Sequence, residues 1–275
     1  MRGGLLFLLV MCLTLNGFSG HLVGGEISYT QIGTDSYLIE LRMYRDCYAS
    51  FPSVQRFDEW VNISVYDAAD NSLIDWFRIR ASDDSTRLPL SLEIPCLPDP
   101  PDLCILEMVY SDTLILNVPS NGAYIVNQRC CRSPNSLNII SPGDFGSTYT
   151  AFIPGVNQTA EENSSPKFNA VPPIALCSGI PLELDYSAED QDGDSLYDEF
   201  CDPYHGGGTP SLGGQPAPDT PSAAPFTTIN WDVGYSTTYQ LPSNPAFDID
   251  HSTGKISGTP NKLGTYVFGV CVSEY

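Results

Sequence analysis

Basic residues are scarce in this chain. Lysine and arginine together number 12 against 33 acids, and the net charge is −21. Residues 1–160 carry 17 acids against nine arginines, and residues 161–275 carry 16 acids against three lysines. Such a surface repels phosphate backbones, so nucleic acid is excluded as a partner. It suits a solvated exterior or a divalent cation. Histidine is also rare, at three residues (His21, His205, His251), and no Cys-x-x-Cys pair occurs. Disulfides therefore outrank zinc as the role of the cysteines. Gly-x-Ser-x-Gly, His-Glu-x-x-His and a phosphate loop are all missing, which leaves catalysis without a sequence signature and the chain read as a non-enzyme. A carboxylate pair for hydrolysis is the remaining enzymatic route, but acids are too abundant for any one pair to be informative.

Long apolar runs are absent after the first twenty residues. Arg2 followed by the run Leu5–Leu15 and small residues at Gly17 and Ser19 reads as a secretory signal over residues 1–19, too short to span a bilayer. Its removal takes Cys12 and leaves Cys47, Cys96, Cys104, Cys130, Cys131, Cys177, Cys201 and Cys271. An even number in an exported chain implies disulfides. Cys96 and Cys104 flank a stiff Pro-rich loop and form the first expected bridge. Adjacent Cys130 and Cys131 would face opposite sides of a strand and take different partners, Cys47 being a candidate for one. Cys271 could join Cys177 or Cys201.

Helical periodicity is missing as well. Short alternating runs take its place: Tyr37–Met43, Val61–Val65, Leu73–Arg80, Leu88–Ile94, Ile105–Tyr110, Thr113–Val118, Ala123–Arg129 and Thr148–Ile153, each bounded by turn residues. With 23 Pro and 23 Gly, this predicts an all-β chain. Residues 156–166 are polar, acidic and end in proline, as a linker would. Two disulfide-stabilised β-sandwich domains are therefore expected, 20–160 and 161–275. Further strands are expected at Leu182–Tyr186, Ser195–Cys201, Thr227–Trp231, Phe247–Ile249, Lys255–Ser257 and Thr265–Ser273, with Gly254 supplying a positive φ in a tight turn. Pro203–Pro225 is either a functional loop or a surface insertion.

Asp190-Gln-Asp-Gly-Asp places three carboxylates together, and Gly193 would let the chain bend around a cation. Calcium at Asp190, Asp192 and Asp194 is the functional reading; a solvated acidic turn is the alternative. Asp248 and Asp250 could complete the site or flank a turn. An EF-hand fits poorly, because Ala188 would hold the first ligand position. Trp60, Trp76 and Trp231 read as core or edge packing, with Tyr204 and Tyr239 the better candidates for an exposed sugar platform. Sequons at Asn62, Asn157 and Asn163 fit surface positions.

His21-Leu-Val-Gly-Gly-Glu-Ile-Ser-Tyr, Leu41-Arg-Met-Tyr-Arg-Asp-Cys, Gln128-Arg-Cys-Cys-Arg, Asn163-Ser-Ser-Pro, Phe200-Cys-Asp-Pro, Gly258-Thr-Pro and Val270-Cys-Val together resemble large secreted Bacteroidetes surface proteins. In these, PKD-, Ig- and cadherin-like repeats precede a gliding-motility-associated sorting domain. The resemblance implies type IX secretion, display at the outer cell surface, and an adhesive or structural role toward a surface glycan or protein. The sorting domain itself is not found here, and the chain reads as the N-terminal part of something longer. A carbohydrate-binding module of a larger secreted enzyme is the rival expectation.

Overall fold

The computed structural model describes residues 22–47, 57–82, 84–88, 104–159, 162–169, 175–209 and 215–275. The signal segment, His21, Cys96 and nearly all of Leu88–Ile94 lie outside these residues. Among the described residues every regular element is a strand. Among the described residues no helix is long and apolar enough to cross a membrane.

Alternation produces the first half. β1 (Leu22–Gly33), β2 (Ser36–Asp46), β5 (Thr86–Arg87) and β6 (Ile105–Ile115) form one antiparallel sheet in the order β1-β2-β6-β5. β3 (Trp60–Asp67), β4 (Leu73–Arg80), β7 (Ala123–Arg129) and β8 (Ser147–Ile153) form a second, ordered β4-β3-β7-β8. Ile39, Leu41 and Met43 of β2 and Tyr110 of β6 meet Val61, Ile63 and Val65 of β3 and Ile125 of β7 in one buried cluster. Burying each such side chain contributes about 1.5–3 kcal/mol, which is what holds the two sheets face to face. β1 lies against β8 and β4 against β6 at the two sides. The break expected between Ile105–Tyr110 and Thr113–Val118 does not occur. Ser111 and Asp112 stay in the ladder opposite Glu40 and Ile39, because β2 is long enough to pair with the whole run.

The second half is built from shorter pieces. β9 (Lys167–Phe168) pairs with β11 (Ala188–Glu189), and β10 (Leu182–Asp185), β14 (Lys255–Gly258) and β13 (Asp248–Ile249) form a three-stranded sheet. β12 (Leu196–Phe200) pairs with β15 (Val270–Glu274). Phe247, Ile249 and Ile256 form the core, with Leu182, Leu184, Phe200 and Phe268 packed on it. Gly254 has φ +63° in the β13–β14 turn, and a Cβ there would stand 2.6 Å from the Ser187 Cα, so the turn needs glycine for two reasons. The strand expected at Thr227–Trp231 is reduced to isolated bridges at Thr228 and Trp231. The last strand begins at Val270, not Thr265.

The cysteines pair only in part as expected: of the two partners open to Cys271 it takes Cys201, while the other expected pairings change. Cys104 bonds Cys47, not Cys96; the two close one end of the β2–β6 ladder, just beyond the Asp46–Ile105 pair, Cα–Cα 5.3 Å. Cys130 and Cys131 bond each other across a cis peptide, so neither takes Cys47. Strand β7 ends at Arg129, and the alternation that would have separated their side chains stops there. Cys201 bonds Cys271, and Cys177 is also disulfide-bonded.

Residues 162–166 do not behave as a free linker. Asn163 and Ser164 are buried, 7% and 2% exposed. The described part of Pro203–Pro225 is a strap across the outer face of the β3–β7 pair. The Asn62 side chain donates to the Pro218 carbonyl, the Tyr66 hydroxyl to the Pro221 carbonyl, and the Gln128 amide exchanges two bonds with Ser222. Arg132, buried with its pKa drawn down to about 10 by desolvation, donates to the Gly146 and Tyr204 carbonyls and pins the start of the same segment. Burial of His205 there, with Arg132 nearby, lowers its pKa to about 4.

Candidate metal centre at the seam between the halves

The Asp190–Asp194 turn is closed by its own first residue. Asp190 Oδ1 accepts from the backbone N–H groups of Asp192 (2.8 Å), Gly193 (2.9 Å) and Asp194 (3.2 Å). Gly193 adopts φ +89°, the conformation that curls the chain back. This leaves Asp190 Oδ2 directed away from the turn. It is sequestered from solvent and accepts no hydrogen bond.

The third expected ligand goes elsewhere. Asp192 Oδ2 accepts from the Ser164 N–H at 2.5 Å, joining the turn to the connecting segment. Its place is taken by a residue the sequence did not single out. β15 pairs with β12 so that Glu274 stands opposite Leu196, two residues past Asp194. Carboxylate oxygens of Asp190, Asp194 and Glu274 lie within 4.8 Å of one another. Glu274 Oε1 accepts from the Asn163 side-chain amide at 2.8 Å, while Oε2 is sequestered without a donor. Burial raises the Glu274 pKa. The Asn163 amide opposes that shift, and the charges of Asp190, Asp194 and Asp192 add to it.

Asn163 has a second bond, to the Tyr29 hydroxyl at 2.8 Å, and its backbone N–H donates to Gln31. Ser164 and Ser165 hydroxyls accept from the N–H groups of Gln31 and Tyr29. The carboxylate cluster therefore sits where β1 of the first half, the 162–166 segment, and β15 of the second half converge. An oxygen-only donor set with two sequestered, unsatisfied carboxylate oxygens is the chemistry of a hard cation such as calcium, which takes six to eight oxygens.

Asp248 and Asp250 do not join this group. Asp250 Oδ1 caps the β13–β14 turn by accepting from the Ser252 and Thr253 N–H groups, and the hydrogen bonds to Ser252 lower its pKa. His251 stacks on Tyr197, ring centroids 4.5 Å apart. Tyr204 is half-buried against Phe226, and Tyr239 stacks beside Tyr235, so neither stands out as an open platform. Trp231 donates to Asp202. Trp60 and Trp76, by contrast, are half exposed rather than packed inside. Of the sequons, Asn157 is exposed, whereas the Asn62 and Asn163 amides are both engaged in hydrogen bonds.

The fold and this cluster define a disulfide-bonded all-β protein with an acidic seam. No protein family, curated protein or solved structure is matched by the chain.

Proposed function

We propose that this chain is a non-enzymatic cell-surface or secreted module, adhesive or structural, built from Ig- or cadherin-like sandwiches and rigidified by calcium. The observation that carries the proposal is the pair of sequestered carboxylate oxygens, Asp190 Oδ2 and Glu274 Oε2, beside Asp194 at the seam. A cation there would neutralise three converging acids and join segments from both halves. The cysteine bonding fits an oxidising, extracellular setting, and the motif resemblance to secreted Bacteroidetes surface proteins supports the same location.

Calorimetric titration of calcium into chelator-treated protein tests the reading. Saturable binding is expected, lost in Asp190→Asn and in Glu274→Gln, and retained in weakened form in Asp192→Ala, whose carboxylate serves the Ser164 contact. Absence of binding at millimolar calcium overturns the calcium assignment. A second reading, a carbohydrate-binding module of a larger enzyme, is favoured by the exposure of Trp60 and Trp76.

A further inference from the structure

The strap described above covers the β3–β7 side of the outer sheet face. The β3–β4 side carries a different set of residues. Alternation directs Val61, Ile63 and Ile79 into the core, and therefore directs Trp60, Trp76, Arg78 and Arg80 outward. Trp60 is 46% exposed and Trp76 51%. Register places Arg80 opposite Trp60, Arg78 opposite Asn62, and Trp76 opposite Ser64, so the four side chains form one continuous patch. The guanidinium groups of Arg78 and Arg80 lie 5.5 and 6.0 Å from the Trp60 ring centroid. Arg80 also meets Glu59 at 3.3 Å, whereas Arg78 has no carboxylate partner among the described residues.

Two half-exposed indoles, with a guanidinium between them that rests near one indole but meets no carboxylate among the described residues, are unusual on a chain of net charge −21. An indole face offers a broad apolar surface to the C–H face of a sugar ring, and a guanidinium offers a planar fork to one carboxylate. We infer that the outer face of the β3–β4 hairpin, at Trp60, Trp76 and Arg78, binds an oligosaccharide bearing an acidic sugar. The local positive charge selects a carboxylated ring over a neutral one. The overall negative charge acts at longer range, where salt screens it beyond about 10 Å, and it disfavours dense polyanions more than a single carboxylate. A second copy of this chain is the poorer occupant, because two-fold pairing through this face would set Arg78 and Arg80 against their own counterparts. The inference does not depend on the calcium site.

The test uses the mature, disulfide-bonded protein with trigalacturonate and sialyllactose as acidic probes, and cellotriose and lactose as neutral counterparts. Binding is read by tryptophan fluorescence and calorimetry, with and without chelator. At least one acidic probe is expected to bind, about tenfold or more tighter than its neutral counterpart. Trp76→Ala and Arg78→Glu, both at exposed positions, are each expected to weaken it by about tenfold or more while leaving the melting temperature unchanged. Binding that survives chelator separates this surface from the cation site. The inference is overturned if neither acidic probe binds, if neutral sugars bind equally well, if both variants bind like the parent, or if the patch instead supports a concentration-dependent dimer that Trp76→Ala abolishes.

Discussion

Glu274 shows how one side chain can carry two opposite dependences on pH. Its pKa is raised above 4.5 by burial, so without a cation the folded state holds its proton more tightly than the unfolded chain. As pH climbs past 4.5 the unfolded form ionises first, and stability declines until the folded carboxyl has ionised too. Glu274→Gln in chelator is expected to flatten that part of the pH–stability curve, measured by thermal melts between pH 4 and 7. Calcium bound there would reverse the sign, because it needs the carboxylate: its stabilising shift should grow as pH rises through the same window and vanish in the variant. Asn163 is the other pivotal residue. Its amide bonds both Tyr29 and Glu274, so Asn163→Ala leaves two buried partners unsatisfied. A loss of about 1–3 kcal/mol in denaturant unfolding is expected, and a neutral result would show the seam to be solvated.

Among the elements, most strands of the first half were legible because alternate residues turn toward the core. The alternation in Leu73–Arg80 and Ala123–Arg129 gave their bounds directly. β1 was not read as a strand, since Gly24, Gly25 and Ser28 blur its pattern and pairing along β2 holds it in place. Thr227–Trp231 looked like a strand but lies where the chain crosses between the two halves, satisfying its backbone through single bridges. The strap was undecidable from composition, because its hydrogen-bond partners, Asn62, Tyr66 and Gln128, lie on strands far away in sequence. Tyr66→Phe removes its bond to Pro221; a cost of about 1 kcal/mol and faster proteolytic nicking near residues 215–225 are expected. In the β13–β14 turn, Gly254→Ala meets both a disfavoured φ and the Ser187 backbone. It should destabilise by about 1–3 kcal/mol, checked by the same unfolding experiment.

For the whole molecule, the cysteine pairs decide which distant segments are neighbours. The 57-residue and 70-residue separations of Cys47–Cys104 and Cys201–Cys271 each correspond to about 4 kcal/mol of loop-closure stabilisation. Replacing both Cys201 and Cys271 by serine should lower unfolding free energy by up to about that amount and weaken calcium binding together with it. Preserved stability would mean that β12 and β15 pair without help. The same bridge explains why the candidate metal centre was only half legible. Three residues beyond Cys271 in an antiparallel pair lies Glu274, opposite Leu196 and next to the acidic turn. Asp190 and Asp194 were visible as a local run, but Glu274 becomes visible only once Cys201 is joined to Cys271. Sequence proximity groups Asp192 with Asp190 and Asp194 but does not reveal that its Oδ2 accepts from the Ser164 N–H.

The stitching of residues 163–165 along β1 has a mechanical meaning. Tension entering through the connecting segment would meet the bonds to Tyr29 and Gln31 side by side, in shear, and would have to break several at once rather than peel them in sequence. A cation bridging Asp190, Asp194 and Glu274 would add a clamp at that same point, and the seam would then be the place where the molecule resists being pulled apart.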